Sequence, residues 1–222
     1  MEHDQEIKLW LSQGLKELDI DLGQKTILAL IRYFHILLLK NKSVNLISSK
    51  MPLRDMVAVH LLDSLTALKW KSWPAEGLAL DLGSGGGLPA VPLSLAKPAW
   101  AFTLAEATAK KAIFLAEVKE SLGLNNVTVV NDFLKAGLKA DGFSFDLVSA
   151  RAVGELKKLM PLAAASLKNG GLFLAFKGPR GEEELSAAQS EIKKRKMKLL
   201  QRIDLTLPLV QAERHLYLFE KQ

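Results

Sequence analysis

Asp81-Leu82-Gly83-Ser84-Gly85-Gly86-Gly87 decides how the rest of the chain is read. The stretch closes a short apolar run, Leu78-Ala79-Leu80, and opens into a helix-forming segment near 88–96. A strand, a glycine-rich turn and a helix in that order let backbone N–H groups and a helix N-terminus approach a ligand closely. Outward from it, apolar runs suited to strands recur near 78–82, 101–106, 127–131, 145–150, 171–177, 201–206 and 214–220. Helical stretches near 88–96, 109–122, 154–167 and 182–197 separate them. This alternation predicts an α/β fold, a doubly wound, mostly parallel seven-stranded sheet with both faces covered. A short segment containing Pro208 joins the last two strands and leaves no room for a crossover helix, so the final strand is expected to run antiparallel.

Upstream of the loop the period is helical. Ile7, Trp10, Leu11, Leu15 and Leu18 form one apolar stripe, and Ile27, Leu30, Ile31, Phe34, Leu37 and Leu38 form another. A third helix is expected from about Arg54 to Trp70, and Lys71 to Gly77, with Pro74, reads as a linker. The organisation is therefore a helical extension over 1–74 and a Rossmann-like domain over 75–222.

Length and composition agree with this. The chain has 222 residues, enough for one α/β domain with a helical addition, and its 49% hydrophobic and 24% charged residues are those of an ordinary globular protein. No charge-free apolar run is long enough to span a bilayer, and residues 1–20 are acidic and amphipathic, so a cytoplasmic, membrane-independent protein is expected, most simply a monomer. The absence of cysteine excludes disulfides, thiolate zinc sites, iron–sulfur clusters and a cysteine nucleophile, and no metal site is expected. The net charge is +6, with Lys193, Lys194, Arg195, Lys196 and Lys198 close together. Such a run suits a phosphate-rich partner, or else a solvated helix face.

The loop and two acids after it outline one ligand. The glycines stand at 83, 85 and 87, whereas a dinucleotide fingerprint wants glycine where Leu88 stands; Asp-x-Gly-x-Gly-x-Gly favours the methionine end of S-adenosylmethionine over a pyrophosphate. Asp81, Gly83, Ser84, Gly85, Gly87 and Leu88 are the candidate cradle. Glu106, closing the second strand, suits both ribose hydroxyls of an adenosine. After the third strand, Asp132 and Phe133 would face the adenine, although Asp132 is also suited to capping the next helix.

The chemistry is narrowed by what is missing. Methylation of pyrimidine C5 needs a thiolate, and there is none. Ser149-Ala150-Arg151-Ala152 follows the fourth strand in place of the Asn/Asp-Pro-Pro-aromatic turn that grips an exocyclic amine. What remains is transfer to an atom that is already nucleophilic. Guanine N7 has an in-plane lone pair and no proton, so alignment and exclusion of water suffice and no general base is required.

Taken in order, Asn45-Leu46, His60-Leu61-Leu62-Asp63-Ser64, the glycine loop with Leu88-Pro89, Lys110-Lys111 with Phe114-Leu115, Ser149-Ala150-Arg151-Ala152, Phe176-Lys177-Gly178 and Glu213-Arg214-His215 resemble the bacterial small-subunit ribosomal RNA guanine-N7 methyltransferases, the glucose-inhibited division protein B family. The resemblance spans about Asn45 to His215. It implies a class I S-adenosylmethionine-dependent fold, a target in the decoding-region loop of 16S ribosomal RNA or the small subunit carrying it, and Arg151, Lys177 and Arg214 on the RNA side, positioning substrate rather than moving protons. Arg151 is also expected at the cofactor. His60, Asp63 and Ser64 would close over cofactor or target, with Asn45 and His215 as further candidates. Val59, Ala90, Lys111 and Asp132 depart from the family's usual residues.

Other readings stand beside this one. His60 lies on an apolar helical face and suits a packed core position as well, and Lys177 and Arg214 suit ordinary surface charges. A small-molecule methyltransferase would share the fold without needing the basic run, and a non-catalytic RNA-binding module would share the charge without the cofactor. A nicotinamide oxidoreductase is disfavoured by Leu88.

Overall fold

The computed structural model describes residues 3–48, 50–132 and 144–222. The chain begins with two antiparallel-packed helices, α1 (Asp4–Glu17) and α2 (Gln24–Val44), and a helical segment of changing pitch: α3 (Leu53–Met56), a π turn (Val57–Leu62), α4 (Asp63–Leu65) and a 3₁₀ turn (Thr66–Lys69). There follow β1 (Gly77–Leu82), α5 (Ala90–Ala96), β2 (Trp100–Ala105), α6 (Ala109–Leu122), β3 (Val127–Val130) and β4 (Phe145–Arg151). The chain closes with α7 (Leu156–Ser166), β5 (Leu167–Lys177), α8 (Gly181–Lys194), β6 (Met197–Leu207) and β7 (Ala212–Lys221).

The seven strands form one sheet in the order β3-β2-β1-β4-β5-β7-β6. Strands β1 to β5 pair in parallel, and β7 runs antiparallel to both neighbours, as the short Pro208 connection requires. The strand order reverses between β1 and β4. Such a switch point leaves a crevice at the carboxyl ends of the strands, since the two flanking loops diverge to opposite faces.

Period-two burial sorts the strand side chains onto two cores. Leu80, Val148, Phe173 and Phe219 face α7 and α8, while Ala79, Leu147, Leu174 and Leu218 share the other core with Leu11, Phe34, Leu61 and Leu62 of the N-terminal helices. The N-terminal helices thus cover one face of the sheet together with α5 and α6. Burial of Tyr33, Phe34, Leu37 and Leu61 without residual exposure is what holds them there.

Observed limits differ from sequence expectation where local signals compete. Strand β5 starts at Leu167, through Asn169-Gly170-Gly171, which reads as a turn; pairing passes from Phe145 with Leu167 to Leu147 with Leu172, so the intervening residues form a bulge with Gly170 at φ +77°. Strand β6 starts at Met197, where it pairs with Lys221 of β7, and the charged outward residues of this edge strand mask its period. The third expected helix is present but is broken into π and 3₁₀ turns.

Gly14 of α1 sits against this π turn. A Cβ there would lie 2.1 Å from Leu62 Cδ1, and Leu62 is fully buried and has no room to yield. Gly14→Ala is expected to lower stability by about 1–3 kcal/mol in urea melts despite the better helix propensity of alanine. Gly23→Ala, where a Cβ meets nothing within 4 Å, should cost about 1 kcal/mol or less, through the poorer N-cap that alanine gives α2 and not through packing.

Candidate active site

The glycine loop leaves β1 at the switch point and turns back at once. Gly83, Gly85 and Gly87 have φ values of +66°, +54° and +89°, conformations that a side chain strains. Gly87 has a second constraint, since a Cβ would come within 2.7 Å of Val91; its role is packing against α5. At Gly85 a Cβ would meet only Gly83 O, at 3.8 Å, and would otherwise point into open space. The backbone is therefore bare on the side that faces the crevice.

Glu106, at the end of β2, is buried and fixes the loop from beside it. Its Oε2 accepts the Gly85 N–H at 2.8 Å and its Oε1 accepts the Thr108 N–H at 2.8 Å. Each oxygen retains acceptor capacity toward the crevice. Below the loop, Asp81 Oδ1 accepts a 2.6 Å hydrogen bond from Ser149 of the neighbouring strand, while Oδ2 is buried without a partner among the described residues. Burial pushes the Asp81 carboxyl up to about 6, against the lowering effect of Ser149.

From above, the N-terminal helices close the loop in. The Tyr33 hydroxyl donates to Gly86 O at 2.6 Å, and burial raises the pKa of that phenol. Asn41 near the end of α2 accepts the N–H groups of Leu46 and Ile47 at its Oδ1 and donates from Nδ2 to Ile47 O. These three bonds hold the segment Leu46–Ser48 along the rim. The result is a cavity of about 500 Å³, lined among others by Ile47, Gly83, Gly85, Glu106, Asp132 and Arg151. Its size suits a nucleoside bearing a small appendage.

His60 also lines this cavity. Neither ring nitrogen has a hydrogen-bond partner among the described residues, although the side chain is more than nine-tenths buried. Burial, then the nearby Arg151 charge, push its pKa down to about 4; the Ser48 backbone, near the ring but outside hydrogen-bonding geometry, favours the charged form only slightly. The imidazole is neutral at physiological pH.

A second cavity, of about 470 Å³, adjoins the first, and Arg151 and Ala152 line both. Arg151 Nη1 donates to Asp63 Oδ2 at 2.9 Å and to Val59 O at 2.8 Å, and Arg214 Nε donates to Asp63 Oδ1 at 3.0 Å. Asp63 is thus shared by two arginines from two strands. Across the cavity Lys177 Nζ donates to Glu184 Oε2 at 2.6 Å and to Gly154 O at 2.7 Å, with Arg180 exposed at the edge.

Several sequence-derived candidates come together, and several do not. Gly83, Ser84, Gly85, Leu88, Glu106, Asp132, Arg151 and His60 line the first cavity, and Asp63, Arg151, Lys177 and Arg214 the second. Asp81 and Gly87 stand behind the loop instead of lining it. Phe133 lies outside the described residues. Asn45 lines neither cavity; it is the left-handed cap of α2, with φ +55°. The Ser64 hydroxyl is spent on the His60 carbonyl one helical turn back. His215 packs beneath the start of α8, with Nδ1 at 2.6 Å from Asp204. Lys177 is ion-paired instead of open to solvent.

The basic run 193–198 also lies elsewhere. It ends α8 and starts β6, beside Glu220 and Lys221, at the edge of the sheet opposite Lys177. Lys194 and Arg195 there face Glu191. Tyr33, Asn41 and Glu184 were not anticipated, and their neutral or ordinary helical context carries no local signal of the contacts they make.

The family model for rRNA small subunit methyltransferase G matches residues 26–217. The ribosomal RNA small subunit methyltransferase G of Desulforamulus reducens is 32% identical over 97% of this chain and 90% of its own length. That of Sorangium cellulosum is 42% identical over 80% of this chain and 74% of its own. Among solved structures, M. jannaschii TYW2 in complex with AdoMet matches with a TM-score of 0.52 at 16% identity, over 68% of this chain and 72% of that one. At such identity the likeness is one of fold.

The two buried titratable groups of the site push stability in opposite directions. Between pH 3.8 and about 6 Asp81 holds a proton in the folded chain that the unfolded chain has released, so raising pH through this window costs stability, on the order of 2–3 kcal/mol. Between about 4 and 6.5 His60 is neutral when folded and protonated when unfolded, so lowering pH through this window costs stability. Urea melts are expected to show the parent losing ground to Asp81→Asn as pH rises from 4 to 6, and to His60→Gln as pH falls from 6.5 to 4. Curves that stay parallel to the parent would mean that neither group is buried as described.

Proposed function

We propose, since the chain belongs to the rRNA small subunit methyltransferase G family, that it transfers a methyl group from S-adenosylmethionine to N7 of a guanine in the decoding-region loop of 16S ribosomal RNA. The observation that carries this reading is the pair of adjoining cavities joined at Arg151: one with bare glycine backbone and a carboxylate, the other lined by four cations and the carboxylates that hold three of them.

The residues of the first cavity fit the cofactor. The open space beside Gly85 accepts the amino-acid end, Glu106 has acceptor capacity left for two ribose hydroxyls, and Asp132 stands at the adenine side. When bound, the sulfonium supplies an electrophilic methyl group. Everything else required of the protein is positioning. Guanine N7 brings its own lone pair, and neutral His60 is available as a hydrogen-bonding wall, not as a base with a pKa near neutrality.

Arg151 and Arg214 orient the RNA. Arg151 has Nη1 committed to Asp63 and Val59 and lines both cavities, so it stands where cofactor and target base meet. Arg214 has Nε on Asp63 and Nη1 on the Glu213 carbonyl, which leaves Nη2 for phosphate. Lys177 contributes by holding Glu184, not as a free phosphate contact.

Calorimetry with S-adenosylhomocysteine tests the cofactor half. Gly85→Val should abolish binding in a folded protein, because the branched side chain occupies the bare side of the loop, and Glu106→Gln should weaken it by about 1–3 kcal/mol. Unchanged affinity in both would move the cofactor elsewhere. Filter binding to 16S RNA tests the other half: Arg214→Ala should reduce the slope of log affinity against log salt by about 0.7–0.9 while leaving S-adenosylhomocysteine affinity intact. An unaltered slope would remove Arg214 from the RNA interface.

A further inference from the structure

On that functional reading, which this inference rests on, the site must tell guanine from adenine. N7 carries a lone pair in guanine and in adenine alike, so a site that met only N7 would methylate either. The purines differ at O6/N6, N1 and the 2-position. Guanine presents N1–H and an N2 amino group as donors, where adenine presents a bare N1 acceptor. N1 lies on the edge next to that of N7, beyond the 6-substituent and roughly at right angles to it, so a base in the second cavity whose N7 is turned toward the first turns its N1 edge toward a side wall of the second. Discrimination there requires an acceptor in that wall.

Three carboxylates line the second cavity among the described residues: Asp63, Glu155 and Glu184. Both oxygens of Asp63 are taken by arginines. Glu155 is mostly exposed at the start of α7, 3.3 Å from the equally exposed Lys158. Glu184 differs from both. Its Oε2 accepts from Lys177 Nζ at 2.6 Å and from the Leu156 N–H at 2.9 Å, which fixes the carboxylate plane, while Oε1 makes no hydrogen bond among the described residues. Its side chain is 24% exposed, and it opens onto the cavity.

We propose that Glu184 is a specificity-determining residue that reads the target purine, its free Oε1 accepting the guanine N1–H. Against adenine the same oxygen meets the N1 lone pair, acceptor against acceptor, with no proton to share. Lys177 is then a positioning residue. Its buried ammonium holds the carboxylate in place and aimed, which accounts for a strand-end lysine closed off from solvent.

The test compares methyl transfer into small-subunit RNA carrying either guanine or adenine at the mapped target, by kcat/KM. Glu184→Gln presents an amide, whose N–H₂ donates to adenine N1. It should lower the rate on guanine by at least about tenfold and raise the rate on adenine. Affinity for S-adenosylhomocysteine should not move. Lys177→Met breaks the ion pair but keeps the carboxylate, and should slow transfer while preserving the preference for guanine. A guanine-to-adenine ratio unchanged in Glu184→Gln, or changed equally by Lys177→Met, overturns the proposal.

A substrate-side measurement on the parent protein does not depend on any variant folding. Inosine at the target keeps N1–H and lacks the 2-amino group, and should be methylated within about threefold of guanine. 1-Methylguanine keeps N7 and lacks N1–H, and should lose at least about tenfold. Equal rates on guanine and 1-methylguanine overturn the role of Glu184 alone. Failure of the parent to label N7 of any guanine would instead overturn the functional reading beneath it.

Discussion

The site depends on one carboxylate. Asp63, carried by the helical N-terminal part, lies between Arg151 at the end of β4 and Arg214 at the start of β7. All three side chains are largely buried, with exposures of 8%, 12% and 18%. Ions removed from water at this depth are tolerable only when paired, and taking away the shared anion would strand two guanidiniums, at a cost of about 3–5 kcal/mol. The arginines therefore have one geometry, and it is set from outside the sheet. The same pairing ties the π turn, which carries His60, to the ends of the strands.

The N-terminal helices thereby do more than cover a face. Tyr33 holds the glycine loop from above, Asn41 holds the rim segment Leu46–Ser48, and Asp63 fixes Arg151, where the two cavities meet, and Arg214 in the second. A bare open sheet offers a crevice at its switch point whatever the chemistry. What makes this crevice particular is contributed by the helices packed across it. Among the described residues no helix is long and apolar enough to cross a membrane, and the apolar stripes of α1 and α2 are spent on this packing.

Much of the architecture was legible in the chain because it rests on local pattern. Apolar runs near 78–82, 101–106 and 145–150 placed the strands, and the spacing of Gly83, Gly85 and Gly87 marked the loop whose left-handed φ values the structure shows. Glu106 could be placed because it ends a strand beside that loop. Contacts between distant segments carry no such pattern. Nothing about Glu184, in a run of three glutamates opening α8, distinguishes the one that meets Lys177, since the choice depends on which face of the helix packs on the sheet. Lys177 and His215 read as candidates for the RNA side, and pairing across β5 and β7 turned both toward α8. The basic run 193–198 lies away from both cavities for a related reason: composition reports how much charge there is, while topology puts it at the far end of the sheet.

The most direct measurement of the central claim is transfer from methyl-labelled S-adenosylmethionine into naked 16S RNA, isolated small subunits and whole ribosomes, followed by mapping of the labelled atom. The expected result is a single label on N7 of one guanine in the decoding-region loop, in at least one of these substrates. Label on another atom, or spread over many sites, or absent from all three while the cofactor still binds, would contradict it.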